Sequence, residues 1–228
     1  NTGLGCHTLH ENTTGNYNTA VGHNGLYDNT TGIRNTAVGT NALMANTVNN
    51  DNTAVGYLAL RNNVNADCTA VGSYALSTST DGSKNIAVGY AAGYQLTTGD
   101  YNTFMGEVAG YSQTTASYNT LIGRQAGYNV TTGSSQIHIG QGAGYYVTTG
   151  SDNTMIGYNA GAYSSHTTTG VQNICIGNYS RTGNTTRAIV IGYDYGGAGG
   201  PNAAGGDWAA AGGAGNPGGG NSFGSGRG

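Results

Sequence analysis

The chain has 228 residues, of which 43 are glycine and only 7% are charged, against about 25% charged residues in an ordinary globular domain. The formal net charge is −3, and the absence of a basic patch and of an apolar run of about 18 residues argues against nucleic-acid binding and membrane insertion. The chain begins at Asn1 in mid-motif, which favours a processed product or a fragment. Three cysteines stand at different places in the repeat and are expected to remain unpaired, namely Cys6, Cys68 and Cys175.

One pentapeptide, first complete as Asn-Thr-Ala-Val-Gly at Asn18–Gly22, recurs along the chain at a spacing close to 17 residues. A fixed period of this length is the sequence signature of a stacked repeat protein. Its closing glycines are Gly5, Gly22, Gly39, Gly56, Gly72, Gly89, Gly106, Gly123, Gly140, Gly157, Gly177 and Gly192.

Each pentapeptide alternates as a short β-strand does, with an aliphatic residue before the glycine and Thr or Ile two positions earlier. The pattern predicts an all-β fold, a parallel β-solenoid (β-roll) of about twelve 17-residue coils over residues 1–193. Each coil is predicted to run strand, glycine corner, second short strand and polar turn. The aliphatic column is predicted to fill the solenoid core: Val21, Val38, Val55, Val71, Val88, Met105, Ile122, Ile139, Ile156, Ile176 and Ile191.

The middle residue of each strand points to the opposite face of the sheet. This column changes from alanine to large apolar residues, and soluble monomers rarely expose such a stripe. The column is therefore predicted to pack against copies of the chain in a closed homotrimer. Its members are Ala20, Ala37, Ala54, Ala70, Ala87, Phe104, Leu121, His138, Met155, Cys175 and Val190.

The cadence Asn-Thr-Ala-Val-Gly-x-x-Ala-Leu with Asn-Thr-Thr-Gly turns resembles the repeats of trimeric bacteriophage tail-fibre and spike proteins. It is also similar to the Asn-Ser-Val-Ala-Ile-Gly coils of trimeric autotransporter adhesin heads, although the 17-residue coil is longer. An endosialidase-type chaperone domain, which many of those fibres carry, is not recognisable. The resemblance implies a structural rod of a virion tail fibre or an extracellular appendage. Other fibre subunits and a host-surface glycan or protein are its implied partners.

Residues 194–228 form a separate glycine-rich segment. The resemblance implies a distal tip, and the alternative is a linker or assembly segment held by neighbouring subunits. Asp207, Trp208 and Phe223 are the candidate receptor contacts, with a packing role as the alternative.

The sequence predicts no enzyme, catalytic residue, metal site or cofactor, because its acidic residues are scattered and no nucleophile or phosphate motif appears. His138 lies in the predicted interface column, so three copies could meet at a metal or anion, or each could be a hydrogen-bonded structural histidine. His7 and His10 are expected to be exposed and to share no face.

Two further columns keep other functions open. The tyrosines Tyr94, Tyr111, Tyr128 and Tyr145 are predicted to stack on one another or, alternatively, to bind sugars. The Thr-Thr turns, among them Thr98, Thr132 and Thr149, suggest an ice-binding face. The alternatives to a phage fibre are therefore a self-assembling extracellular filament or bacterial adhesin head, and an ice- or glycan-binding solenoid.

Overall fold

A computed structural model describes residues 1–161, 169–180, 182 and 186–192. Its fold is a parallel β-solenoid in which one three-residue strand per coil joins a single sheet, ordered from β1 to β12 along the chain. The strands are β1 Thr2–Leu4, β2 Thr19–Val21, β3 Thr36–Val38, β4 Thr53–Val55, β5 Thr69–Val71, β6 Ile86–Val88, β7 Thr103–Met105, β8 Thr120–Ile122, β9 Ile137–Ile139, β10 Thr154–Ile156, β11 Ile174–Ile176 and β12 Ile189–Ile191.

Every strand pairs in register with the equivalent residues of the next coil, as Ala20 with Ala37 shows. The predicted strands, their parallel stacking and the coil length are therefore confirmed. The glycine corner is confirmed as well. Gly22 has φ +127°, and a Cβ there would lie 2.8 Å from the carbonyl oxygen of Gly39 in the next coil, so no side chain fits.

The second predicted strand of each coil is wrong. The segment after the corner is a series of turns, in which Asn24 and Leu26 have φ values of 55° and 49°. Left-handed residues cannot continue an extended strand. The chain therefore bends repeatedly on the way to the polar turn.

The sheet faces the opposite way from the prediction, because the middle residue of the strand points into the solenoid. From β2 to β11 this residue is buried, and Ala20, Phe104 and Leu121 are fully buried within one chain. A residue that is closed off inside its own chain cannot contact a partner. The assignment to a trimer interface is thus wrong for Ala20, Ala37, Ala54, Ala70, Ala87, Phe104, Leu121, His138, Met155 and Cys175, all at most 1% exposed. Val190 lies in register with Cys175 and is half-buried in the last coil.

The residues predicted to fill the core instead lie on the outside of the sheet. All of them are half-buried or exposed: Val21, Val38, Val55, Val71, Val88, Met105, Ile122, Ile139, Ile156, Ile176 and Ile191. The physical reason is the small interior of the coil, where the strand shares its space with a residue from the turn segment. In four coils whose strand residue is alanine that space takes a leucine, namely Leu26, Leu43, Leu60 and Leu76. Beside Ala87 the turn residue is Gly93, because the ring of Phe104 from the next coil leaves no room for a Cβ there.

Where the strand residue is large, the turn position becomes glycine. A Cβ on Gly110 would overlap the ring of Phe104, and a Cβ on Gly127 would lie 2.7 Å from Leu121 Cδ1. The change from alanine to large residues is therefore a volume exchange inside the core.

The asparagine that opens most of the pentapeptides, from Asn18 to Asn173, is buried and connects adjacent coils. The Oδ1 atom of Asn18 accepts the backbone N–H of Asn35 at 2.9 Å, and its Nδ2 donates to the carbonyl of Gly32 at 2.7 Å. The hydrogen bonds between coils along the axis therefore run mainly from side chain to backbone. These bonds satisfy buried polar groups that would otherwise destabilise the fold.

Candidate interaction face

The outer residues of the twelve strands form what we call the outer sheet face. One of its two columns is threonine or isoleucine and the other is aliphatic. The more exposed members have 36% to 69% of their surface open to solvent, namely Leu4, Val71, Ile86, Met105, Ile137, Ile139, Ile189 and Ile191. Scattered apolar residues are ordinary on protein surfaces, but a continuous column of them marks an interaction site.

The outer sheet face carries no Asp, Glu, Lys or Arg in any of its twelve strands. Twelve strands about 4.8 Å apart give it a length of about 53 Å. With the residues on either side it is about 15 Å wide, which amounts to on the order of 800 Å². A stable interface uses about that area on each partner, and charged residues are depleted at the centre of such interfaces.

Two exposed columns border the outer sheet face. The leading column holds the residue two positions before each strand: Tyr17, Arg34, Asp51, Asp67, Lys84, Tyr101, Tyr118, Ser135, Asp152, Gln172 and Arg187. The trailing column holds the residue two positions after each strand: His23, Thr40, Tyr57, Ser73, Tyr90, Glu107, Arg124, Gln141, Tyr158 and Asn178. Sequence reasoning missed both columns, although the 17-residue period shows them.

Neighbouring coils are connected within these columns by polar contacts. In the leading column Arg34 pairs with Asp51 at 2.6 Å, and this hydrogen bond lowers the pKa of the Asp51 carboxyl below its usual value. In the same column Lys84 donates to the Tyr101 hydroxyl at 2.8 Å. The charges therefore belong to an ordered border of the outer sheet face.

At the middle of the rod the two columns differ in character. Tyr101 and Tyr118 of the leading column stack with ring centroids 5.2 Å apart. In the trailing column beside the same two strands, Arg124 contacts Glu107 at 3.1 Å. A tyrosine pair thus borders one side of β7 and β8, and an ion pair borders the other.

His138 lies inside the core, between Leu121 and Met155 of the adjacent strands. Its ring is fully buried and neither ring nitrogen has a hydrogen-bond partner. Burial lowers the pKa of His138 from 6.5 to about 3, so the ring is neutral in the fold. The predicted meeting of three copies at a metal or anion is wrong, because the side chain is enclosed by its own chain.

His7 and His10 lie closer together than expected, with ring centroids 5.6 Å apart. The rings of His23 and Tyr27 from the next coil complete this exposed group, at 6.1 Å from His7 and 4.8 Å from His10. Their common surface was missed because it depends on stacking between coils. Within the part of the chain that the structure describes, no group of three His, Cys, Asp or Glu side chains is arranged to hold a metal ion.

The tyrosine column stacks ring on ring, as predicted. The centroids of Tyr94, Tyr111, Tyr128 and Tyr145 are 5.2 to 5.3 Å apart with nearly parallel planes. Edge contacts from Tyr74 and Tyr146 cover the two ends. A sugar stacks on a free ring face, and the faces in this column cover one another.

In the polar turns that carry two threonines, the two have different roles. The first donates its hydroxyl to a backbone carbonyl of the next coil, as Thr97 does to Thr114 at 3.0 Å. The second is exposed, and in four consecutive coils it is a threonine: Thr98, Thr115, Thr132 and Thr149. This exposed threonine row lies in the polar turns and not in the strands that form the outer sheet face.

The cysteines are unpaired as predicted, with Cys6 exposed and the other two buried. Cys68 stands where most coils have the buried asparagine that opens the pentapeptide. Its thiol donates a hydrogen bond to the carbonyl of Gly82 at 3.3 Å. Burial raises the pKa of this thiol to about 11. The glycine-rich segment 194–228, with Asp207, Trp208 and Phe223, lies outside the described residues.

Comparisons with protein-family models, with curated proteins and with solved structures give no match to this chain. Among the described residues, no helix has the length and apolar character needed to cross a membrane. The fold and the outer sheet face are therefore the basis for a functional proposal.

Proposed function

We propose that this chain is a structural and adhesive fibre protein, a homotrimeric rod of a phage tail fibre or a similar surface appendage that contributes to host-surface attachment. The observation that carries the proposal is the outer sheet face, an uncharged column of Val, Ile and Met beside Thr and Ile along a rod of twelve strands. The resemblance of the repeats to trimeric fibres supports three chains rather than two.

The trimer proposed here differs from the one expected from sequence, because it uses the outward residues of each strand. Burying the aliphatic column removes apolar surface from water at about 25 cal/mol per Å². Closed cyclic symmetry would bring three such faces around one axis. A rod of this kind presents many copies of each surface site, so individually weak contacts to a host surface act together.

The central test is the oligomeric state of the full chain by sedimentation and native mass measurement. We expect a trimer, and Ile122→Lys in β8 should produce monomers because a charge would lie in the middle of the outer sheet face. Thr132→Lys, on the exposed threonine row, is the matched control and should remain trimeric. A wild-type monomer would refute the proposal.

Attachment is tested separately, with the labelled full chain and a panel of bacterial cells and isolated surface polysaccharides. We expect the wild-type protein and the Thr132→Lys control to bind one of these surfaces. The monomeric Ile122→Lys variant should bind far more weakly, because multivalency is lost. Equal binding by the monomer and the trimer would contradict an attachment mechanism based on multiple contacts.

A second candidate function, ice binding, is favoured by the exposed threonine row of Thr98, Thr115, Thr132 and Thr149. Its hydroxyls repeat at the spacing of the coils, about 4.8 Å. Thermal hysteresis that is lost in Thr132→Lys but retained in Ile122→Lys would favour this function. The two variants therefore separate the candidates.

A further inference from the structure

The two columns that border the outer sheet face are complementary strand by strand. Five charged residues on one border have a tyrosine on the other border of the same strand. These pairs are Asp51 with Tyr57, Lys84 with Tyr90, Glu107 with Tyr101, Arg124 with Tyr118, and Asp152 with Tyr158, and all ten residues are exposed. Two further charged residues, Arg34 and Asp67, face the hydroxyl residues Thr40 and Ser73 in the same way.

These pairs do not form within one chain. The two columns lie on opposite sides of the strand, six residues apart in sequence, which places them about 15 Å or more from each other. The intrachain contacts instead run along each column, as between Arg124 and Glu107. The strand-by-strand complementarity therefore needs a second copy of the chain.

We infer that the chains of the rod associate in parallel and in register, so that the leading column of each chain contacts the trailing column of its neighbour at the same coil. This inference rests on the proposed homo-oligomer and specifies its register. Rotation about an axis parallel to the rod leaves the height of every coil unchanged. Cyclic symmetry thus brings Tyr118 of one chain to the level of Arg124 in the next chain.

The chemistry of the pairs suits such a border. A guanidinium or ammonium group packs against the ring of a tyrosine. A carboxylate accepts a hydrogen bond from the tyrosine hydroxyl. No strand has charged residues on both of its described borders, so the in-register arrangement places no like charges together. A shift by two coils would place Lys84 opposite Arg124 and Asp67 opposite Glu107.

The centre of the rod is the most specific part of this border. The stacked pair Tyr101 and Tyr118 would meet the ion pair of Glu107 and Arg124 from the neighbouring chain. Tyrosine and arginine near the middle of an interface commonly contribute most of its binding free energy. This place is therefore where the register is best tested.

The test is a pair of opposite charges at one position, Tyr118→Glu and Tyr118→Lys, in the full chain. The residues next to Tyr118 in its own column, Tyr101 and Ser135, are uncharged, so the sign of the new charge matters chiefly across the interface. In register it lies opposite Arg124. The dissociation constant of the trimer, from sedimentation at several concentrations, should be about two- to fivefold higher for the lysine variant than for the glutamate variant.

The outcomes separate the inference from the function on which it rests. A wild-type monomer refutes both. A wild-type oligomer in which glutamate weakens association more than lysine indicates a shift by one coil, with Glu107 opposite, and overturns the in-register pairing. Equal effects of the two charges overturn it as well.

A cross-linking measurement tests the same pairing independently, in a Cys6→Ser background that removes the exposed thiol. Tyr118→Cys with Arg124→Cys should give covalent multimers with a short bis-maleimide. The matched control combines Tyr118→Cys with Tyr57→Cys, also on the trailing column but four strands away, about 19 Å along the rod. Multimers from the control and none from the Arg124→Cys pair would refute the inference.

Discussion

At the scale of single residues, the least expected side chain is His138, a neutral imidazole enclosed in an apolar core. The residues around it are Leu121, Met155, Gly127 and Gly144, none of which is titratable. Because both ring nitrogens are without partners, protonation inside the fold has no compensating contact. The histidine is tolerated only in its uncharged form.

The first prediction concerns the pH dependence of stability. The pKa of His138 is about 3 in the fold, below its ordinary value of 6.5, so between these values the unfolded chain binds a proton that the folded chain does not. The free energy of unfolding should therefore fall as the pH drops from 6.5 towards 3, by up to about 1.4 kcal/mol per pH unit from this residue. Above pH 6.5 this residue should cause no further change.

The variant His138→Met isolates that contribution, because methionine already occupies the equivalent position in the next coil as Met155. Urea unfolding should be followed between pH 7 and pH 4 for both proteins. The difference in stability between wild type and variant should change with pH at this slope. A constant difference across the range would show that His138 is not buried in its neutral form.

At the scale of the repeating element, each coil fills its interior with one residue from the strand and one from the turn. The strand supplies alanine and the turn leucine in the first coils, whereas Phe104 is matched by Gly110. The second prediction is that these choices are coupled. Phe104→Ala alone should destabilise the protein by about 3–5 kcal/mol through the cavity it leaves.

Gly110→Leu alone should also be strongly destabilising, because its side chain would enter the space of Phe104. In the double variant the leucine occupies the emptied space, as Leu26 does beside alanine, so much of the loss should be recovered. Leucine at φ near +50° is already present at Leu26 and Leu43, at a cost of about 1–2 kcal/mol. Additive effects in a double-mutant cycle, measured by urea unfolding, would contradict this exchange of volume.

Strand positions and register were predictable from the sequence because they depend only on the 17-residue period and the two-residue alternation. Which face is inside was not, since alternation assigns Ala20 and Val21 to opposite faces without saying which is buried. The β-branched residue was expected inside by analogy with ordinary sheets. The early coils pair alanine in the strand with leucine in the turn, whereas a later coil pairs Phe104 with Gly110. This change is a sequence signal that the middle residue of the strand is the buried one, because only residues that share one space need matched volumes.

The turns and the borders depend on geometry that a pattern of strands does not contain. Left-handed residues such as Leu26 end the extended backbone after the corner, which removes the second predicted strand. The contact of His7 with His23, like the stack of Tyr101 on Tyr118, follows once the coil height is known. The tyrosine column was predictable because four equivalent positions carry the same ring.

At the scale of the whole molecule, the solenoid is a linear array in which each coil contacts only its neighbours. Stability in such arrays is a sum of coil and neighbour contributions. Removing residues 23–72 deletes three complete coils and joins Gly22 to Ser73, so β2 would stack on β6 with Ala20 beside Ala87. We expect the shortened chain to fold and to unfold cooperatively, since every column of equivalent residues continues across the new junction.

The urea dependence of the free energy of unfolding should fall by about a quarter in this deletion, since that slope follows the surface exposed on unfolding. The Ile122→Lys background removes subunit association from the measurement. Removing residues 23–64 is the control, because the eight residues left between Gly22 and Ser73 are too few for a coil. In it β1 and β2 should no longer stack on the rest of the array, so the free energy of unfolding should fall further than in the first deletion. If both deletions unfold alike, the coil is not the unit of stability.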